Sequence, residues 1–383
     1  MTEQSITDDE LRILADSARD YAAGSSALAQ LRALRGSDPG YEADALARMA
    51  AMGWTGIIVP QRCGGLGLGL QAAGAVLQAL GAKLAAEPLI DLALLPAALL
   101  SRLPAGAAID DLLAAIGRGE RASALAWSES HHPDPALAWG VRAEPAASGH
   151  LLHGRKRFVA AAPGGWLVSA STPQGPALLH VAVDAPGVAR STRARVDGVA
   201  SSTLEFAGTP ARLLAAGDGV APALEDALDD AALLVSAEML GIMDTALQTT
   251  LQYIRTRVQF GQPVASFQAV QHRMVDLHIL QQVAISACAA GMRSADRANA
   301  TRSARALAVS QAKARCSDVV LRITQDAVQY HGAIGFTDAC DVGLYLKRAL
   351  VLAPAFGNAV FHRARFRACQ RALLHGSGDH AAD

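Results

Sequence analysis

Leu233, Leu240, Leu247 and Ile254 recur at seven-residue spacing, with Val235, Met239 and Ile242 between them. A stretch this continuously apolar at a helical period leaves no wet face, so one long, well-buried helix is expected from about Leu224 to Arg255. It should pack with the helices that follow it as a four-helix bundle and supply most of an oligomer interface. The helical period returns after Pro222 and persists to the end of the chain. Composition agrees. The 51% hydrophobic content comes mostly from Ala and Leu and only 4% of the chain is aromatic, a balance that favours helices over sheets.

A length of 383 residues accommodates two or three domains with sizeable cores. The net charge is −1 and no run of basic residues stands out, which argues against nucleic acid or an anionic membrane surface as partner and leaves a small molecule as the default. Cys63, Cys288, Cys316, Cys340 and Cys369 are scattered, without a Cys-x-x-Cys pair or metal-ligand spacing. They read as reduced thiols. His131 and His132 are adjacent, would point apart on a strand and make a poor metal pair, so no metal site is expected. The first ten residues are polar and acidic, and no uninterrupted apolar run reaches membrane-spanning length, so the expected location is the cytoplasm.

Thr7 and Glu10 form a capping box that starts a helix over about Asp8–Ala22, with Leu11, Leu14, Ala18 and Ala22 on one face. Further helical patterns cover about Tyr41–Met52 and Leu70–Leu84. Between them the chain passes through Pro60 into a turn containing Gly64 and Gly65. From about Ala122 the texture changes to short apolar runs broken by Gly and Pro, as small antiparallel strands read. The expected organisation is a helical domain over residues 1–120, a small β-domain over 121–221 and a helical bundle domain over 222–383.

Two segments carry candidate binding chemistry. Arg255–Asp276 joins two arginines at a helix end to a Phe-Gly turn and a Gln-rich helix start, a site for an extended anion bearing an aromatic ring. Gln329–Phe336 sets an amide beside Gly332 and Gly335, where a bulky ligand can approach bare backbone. Read singly, the arginines are equally well helix-end charges facing the negative end of the dipole, and the glycines equally well a turn. Read together and in order, they resemble the carboxy-terminal domain of the acyl-CoA dehydrogenase flavoenzymes, with their Arg-x-x-Phe-Gly and Gln-x-x-Gly-Gly-x-Gly segments. The Gly53–Gly67 stretch resembles a signature of the same family's amino-terminal domain, and Leu151–Ala170 resembles its strand pair beside the flavin. The resemblance covers essentially the whole chain. It implies a mostly α fold with a small, barrel-like central β-domain, and FAD as cofactor. Arg257, Phe260, Gln268, Gln329, Gly332, Ala333 and Gly335 are implied on its adenosine diphosphate part, in a site completed by another subunit. Phe158, Ala160 and Ser128 are implied at the flavin ring.

Dehydrogenation of an acyl-CoA thioester needs a carboxylate base for the proton next to the carbonyl and hydrogen bonds to the thioester oxygen. The two positions at which the family carries that base fall on Phe356, or Ala355 with one residue of slippage, and on Ala231. None can accept a proton, so no catalytic residue is assigned. Asp229 and Asp230 lie one or two residues from the second position and are expected to be solvated charges near a helix start. The flavin-side pattern is eroded as well. Ser128 and Glu129 keep only part of the family's Thr-Glu-Pro segment, and Phe158 and Ala160 stand where a Trp-x-Thr is usual. A chain that retains the adenosine grip and lacks the base resembles the non-catalytic subunit of heterotetrameric α2β2 dehydrogenases acting on bulky, steroid or dicarboxylic CoA thioesters. Two alternatives stand beside this: a self-sufficient homo-oligomer using Asp229, Asp230 or Glu238 as a displaced base, and a scaffold that has lost the flavin.

Overall fold

A computed structural model describes residues 6–24, 27–85, 88–132, 134, 138–147, 149–297 and 299–376. In chain order the helices and strands are α1 (Asp8–Gly24), α2 (Ala27–Ala33), α3 (Ala45–Ala51), α4 (Gly69–Gly81), α5 (Leu95–Leu100), α6 (Ala107–Gly117), β1 (Ala124–Ala126), β2 (Arg142–Ala146), β3 (Gly149–Val159), β4 (Trp166–Thr172), β5 (Gly175–Val181), β6 (Val188–Ala194), β7 (Ala200–Ala216), α7 (Val220–Thr256), β8 (Val258–Gln259), β9 (Gln262–Pro263), α8 (Gln268–Ala295), α9 (Arg302–His331), α10 (Val342–Leu352) and α11 (Ala359–Gly376). This is the mostly helical fold with a small β-region that the sequence implies.

The chain divides into two compact units. One comprises Met1–Ala29, Leu70–Ala86 and Ala232–Asp383, and the other Gln30–Gly69 and Glu87–Ala231. In the first, the capping box forms as read: Thr7 N and Oγ1 each donate to Glu10 at 2.8 Å, and Glu10 N donates to Thr7 Oγ1 at 3.3 Å. The core helix is α9, which packs against α8, α10 and α11. Gly291 of α8 admits Leu233 of α7 and Ala312 of α9, since a Cβ there would come within 2.7 Å and 3.1 Å of their side chains. α7 is one 37-residue helix, as its apolar period requires.

The other unit holds a closed barrel. β2 pairs antiparallel with β3, β3 with β7, β7 with β5 and β5 with β4, and the ring closes through the parallel Arg142↔Ser171 pair of β2 and β4. β1 runs parallel beside β4, and β6 lies antiparallel along β7. Inward residues such as Leu152, Val168, Leu179 and Leu204 are fully buried. β6, Val-Ala-Arg-Ser-Thr-Arg-Ala, has no alternating apolar pattern and was not legible as a strand; it is ordered by its partner β7.

Two expectations need correction. The helix expected from Tyr41 begins at Ala45, because Tyr41 is held away by a hydrogen bond from its hydroxyl to Ala161 O at 2.7 Å. Asp229 and Asp230 are not solvated. α7 starts at Val220, which carries both into its interior turns, where they are 5% and 2% exposed.

In the helical unit, α4 and α7 approach backbone to backbone. A Cβ on Gly241 would lie 2.0 Å from Gln78 O, and one on Gly81 would lie 2.4 Å from Glu238 O. Gly241→Ala is therefore expected to cost about 3 kcal/mol through forced separation of the helices. Gly24→Ala, with nothing within 4 Å, should be neutral. Urea denaturation midpoints of the two variants check this.

Candidate functional site

The candidate residues fall into two sets, one in each unit. In the helical unit, α7 ends and the chain turns at once into the two-residue hairpin β8–β9, with Phe260 (φ 52°) and Gly261 (φ 80°) at its tip. Two successive positive φ values are what a tight hairpin needs. Gly261 meets that demand freely, but Phe260 does not, and its ring is 93% exposed. Arg257 N donates to Tyr253 O and Arg257 O accepts from Val264 N, both at 2.8 Å, which fixes the backbone under an exposed guanidinium. Phe267 meets Phe260 edge-on at 6.2 Å, and the next residue, the exposed Gln268, opens α8.

The second segment lies beside the first. Tyr253, one turn before Arg257, stacks on His331 at 4.3 Å between centroids and donates to its carbonyl at 3.4 Å. Arg273 of α8 pairs with Asp326 of α9 at 2.7 Å. Gln329 is exposed on the last turn of α9. Gly332 (φ 66°) ends that helix with open space where a Cβ would be, and Ala333 is exposed after it. Gly335 is required by packing, because a Cβ would sit 2.8 Å from Val328 O. Arg257, Phe260, Gln268, Gln329, Gly332, Ala333 and Gly335 thus share one end of the helical unit. Sequence reasoning missed the Tyr253–His331 stack that joins the two segments. It also missed the apolar surface nearby: Phe336 is 80% exposed, and Val275, Ile279 and Val283 form an exposed i, i+4, i+8 stripe on α8. That stripe makes α8 apolar and long enough to pass for a membrane-crossing helix by composition, although its Met274, Leu277, Ala284 and Cys288 are buried in the unit.

In the barrel unit, Arg157 N donates to Ser128 O at 2.7 Å, which brings Ser128 to β3. The β3–β7 register shifts between Lys156 and Val159, and in that bulge Phe158 adopts φ 57° and is 54% exposed. A bulge re-aims a side chain. Phe158 has His131 edge-on at 5.2 Å and the Arg157 guanidinium 5.4 Å from its ring centre, and Ala160 follows half-buried. Beneath them Lys156 is completely buried, donating to Glu129 Oε1 at 2.5 Å, Ala138 O at 2.8 Å, Ser169 Oγ at 2.9 Å and Trp127 O at 3.1 Å. Burial lowers its pKa to about 8 against the pull of Glu129. The Glu129 carboxylate also accepts from Gly140 N and Val141 N. Glu129 is thereby a structural anchor for the Ser128 loop. The segment following His132 includes Pro133 and Pro135, which lie outside the described residues. No cluster of three or more metal-ligating side chains occurs among the described residues.

Of the base positions, Ala231 is fully buried on α7 and Phe356 lies in the loop after α10 at φ 55°. Nearby carboxylates are engaged. Asp230 pairs with Arg102 at 2.6 Å, and Glu238, fully buried, accepts from both Nε and Nη2 of Arg348 at 2.7 and 3.1 Å.

The comparisons decide the family. Residues 8–96 match the acyl-CoA dehydrogenase N-terminal domain and residues 217–367 the acyl-CoA dehydrogenase C-terminal domain. The chain belongs to the acyl-CoA dehydrogenase family, a family of oxidoreductases. It is 30% identical over 308 residues to acyl-CoA dehydrogenase FadE27 of Mycobacterium tuberculosis, covering 78% of this chain and 80% of that one. It is 28% identical over 343 residues to acyl-CoA dehydrogenase IpdE2 of the same organism, covering 89% and 91%. Among solved structures, a Tcur3481–Tcur3483 steroid ACAD variant superposes with a TM-score of 0.84 at 28% identity, over 96% of this chain and 99% of that one. The ChsE4–ChsE5 complex of Mycobacterium tuberculosis gives 0.80 at 25% identity, over 97% and 99%.

Next to Phe356, His362 of α11 is buried, and burial together with nearby Lys313 lowers its pKa to about 3. The folded protein keeps this imidazole neutral, whereas the unfolded chain protonates it near 6.5. Stability contributed by the neutral ring is present above about pH 6.5 and is lost as pH falls toward about 3, with roughly 3 kcal/mol gone by about pH 4. His362→Gln should remove that part of the slope, so the difference between the two proteins' urea midpoints should shrink from pH 7 to pH 4.

Proposed function

We propose that this chain is the base-lacking, FAD-holding partner subunit of a heteromeric acyl-CoA dehydrogenase. It would act on a bulky, steroid-like or dicarboxylic CoA thioester beside a homologous subunit that carries the base. The observation that carries this reading is Phe356 at one base position and buried Ala231 at the other, with Asp230 and Glu238 committed to Arg102 and Arg348. Withdrawing Glu238 from its buried pair costs about 3–5 kcal/mol, and buried Asp230 is held by the partly exposed Arg102, so neither is free to serve as a base at rest. The two named-subunit complexes among its structural relatives, and the steroid ACAD description of one of them, support the partner and the substrate class.

The residues present fit FAD. The bare, positive-φ backbone at Gly332 lies open, and Phe260 exposes an aromatic face that the chain's own fold leaves uncovered. Arg257 would pair with the pyrophosphate, Gln268 and Gln329 would hydrogen-bond polar edges of the adenosine part, and Gly332 beside exposed Ala333 would let it approach the backbone of a turn that Gly335 allows to pack on Val328. On the barrel, Phe158 would offer a stacking face, Ala160 a backbone contact and Ser128 a hydroxyl. When bound, the flavin supplies the acceptor for the hydride that leaves the carbon beyond the thioester α-carbon. Exposed Phe336 and the Val275–Ile279–Val283 stripe support association with a homologous subunit through the helical unit. A cytoplasmic location belongs to the same proposal and rests on five unpaired cysteines.

Purified alone and loaded with FAD, the protein should leave the flavin band unbleached by acyl-CoA. Coexpression with a base-bearing homologue should give turnover, and Arg257→Ala should lower flavin content in a well-folded oligomer. A missing base is typically worth about 10²–10⁴ in rate. Rapid bleaching in the isolated protein, abolished by Asp229→Asn or Asp230→Asn, would instead establish a displaced base. Absence of flavin absorbance with and without the homologue would point to a scaffold.

A further inference from the structure

The short loop after α10, which carries Phe356, is held by two side chains from neighbouring helices. Lys313 of α9 is fully buried, and its ammonium donates to Ala353 O at 2.8 Å, Gly357 O at 3.0 Å, Leu352 O at 3.3 Å and Ser317 Oγ at 2.9 Å. The Ser317 hydroxyl in turn donates to Ala353 O at 3.1 Å. All four acceptors of the lysine are uncharged. His362 of α11, 1% exposed, donates from Nε2 to Phe356 O at 2.9 Å, which leaves Nδ1 to accept from Ser310 Oγ at 3.4 Å. Two side chains therefore hold four carbonyl oxygens within the six residues 352–357.

The backbone they hold would not keep this shape unaided. Phe356 has φ 55°, costly for a residue with a Cβ, and Gly357 has φ 105°, where a Cβ would strike His362 Nε2 at 2.6 Å. The clamp is itself costly. Burial drives Lys313 down to a pKa of about 7, the mark of an ammonium kept dry without a carboxylate to offset it. The carbonyls at the end of α10 supply partial negative charge, but a connection between two helices does not require a buried cation. A need to fix one particular loop conformation accounts for it.

We propose that Lys313 and His362 are positioning residues that lock the 352–357 backbone in a single conformation, so that the chain retains the frame presenting residue 356 after losing the base from it. The assignment of Phe356 as a base position rests on the functional reading above, whereas the clamp rests on geometry alone. Phe356 is accordingly a fixed apolar side chain, not a residue of a loose turn.

Hydrogen exchange of the full-length protein in its native oligomer, read by mass spectrometry at peptide level, tests this. Ala355 N donates to Leu352 O and Gly357 N to Pro354 O, both at 3.2 Å, so these amides report on the loop. In Lys313→Met they should exchange at least about tenfold faster than in the unmodified protein, with the central amides of α8 and α9 unchanged. His362→Leu, which removes the donor to Phe356 O together with the acceptor for Ser310 Oγ, should accelerate exchange around Phe356–Asn358 without touching the Lys313 contacts, and it decides the matter if Lys313→Met does not fold. Unchanged loop exchange, or acceleration spread evenly through the helical unit, would overturn the proposal. Neither result depends on whether the chain dehydrogenates acyl-CoA, so failure of the clamp and failure of the partner-subunit reading are separable.

Discussion

The helical unit depends on one close approach, that of α4 to α7. Glycines at 81 and 241 let the two backbones touch, and this draws Glu238, whose carbonyl is itself the α7 side of the contact at Gly81, fully into the interior. A carboxylate so placed must be paired, and Arg348 supplies the pair from α10 with two hydrogen bonds. The end of α4 is satisfied in the same way: Ala82 O accepts from Thr245 of α7 and Tyr345 of α10, both at 2.9 Å. Desolvation at this site pushes the Tyr345 hydroxyl up to about 12, so it remains a donor across the physiological range. Close backbone contact thus dictates which polar groups α10 must bring, and α10 in turn ends at the loop that carries Phe356.

Buried lysines in the two units show what a counter-charge changes. Lys156 has Glu129 at 2.5 Å to offset part of its burial penalty, whereas Lys313 has only carbonyls and a hydroxyl; burial lowers the pKa of both. Each anchors a loop that bears candidate residues, Ser128 in one case and Phe356 in the other. The protein spends buried charge on loop geometry, a use for which an apolar side chain has no substitute because orphaned carbonyls require donors.

Much of the architecture was legible because it rests on periodicity and on local rules. The Thr7–Glu10 box, the uninterrupted apolar period of α7 and the short runs of β3, β4 and β5 each announce their element. What stayed hidden depends on partners distant in sequence. β6 is polar and becomes a strand through β7, and Glu238 reads as one more helix charge until Arg348 is placed beside it. Asp230 shows the limit most plainly. Two adjacent aspartates near the expected start of a helix look like solvated charges, yet the second is buried and pairs with the partly exposed Arg102 from far back in the chain. Of the candidate site, the residues with unusual backbone demands, Phe260 and the Gly332–Gly335 run, stood out in the sequence, whereas the Tyr253–His331 stack that joins their segments did not.

The distribution of exposure between the two kinds of candidate residue carries the last step. Arg257, Phe260, Gln268, Gln329 and Gly332 all lie exposed in the chain as it stands, while Ala231, Asp230 and Glu238 are buried. A phenylalanine at positive φ with 93% of its surface in water contributes nothing to the chain's own fold and costs backbone strain and apolar hydration. Such a residue is accounted for by something that covers it. Asp230 and Glu238 have gone the opposite way, buried and bound to Arg102 and Arg348, and do not give up an oxygen cheaply. Exposed Arg257 and Phe260, together with the engagement of Asp230 and Glu238 among the described residues, are the physical grounds on which the proposed partner-subunit reading stands.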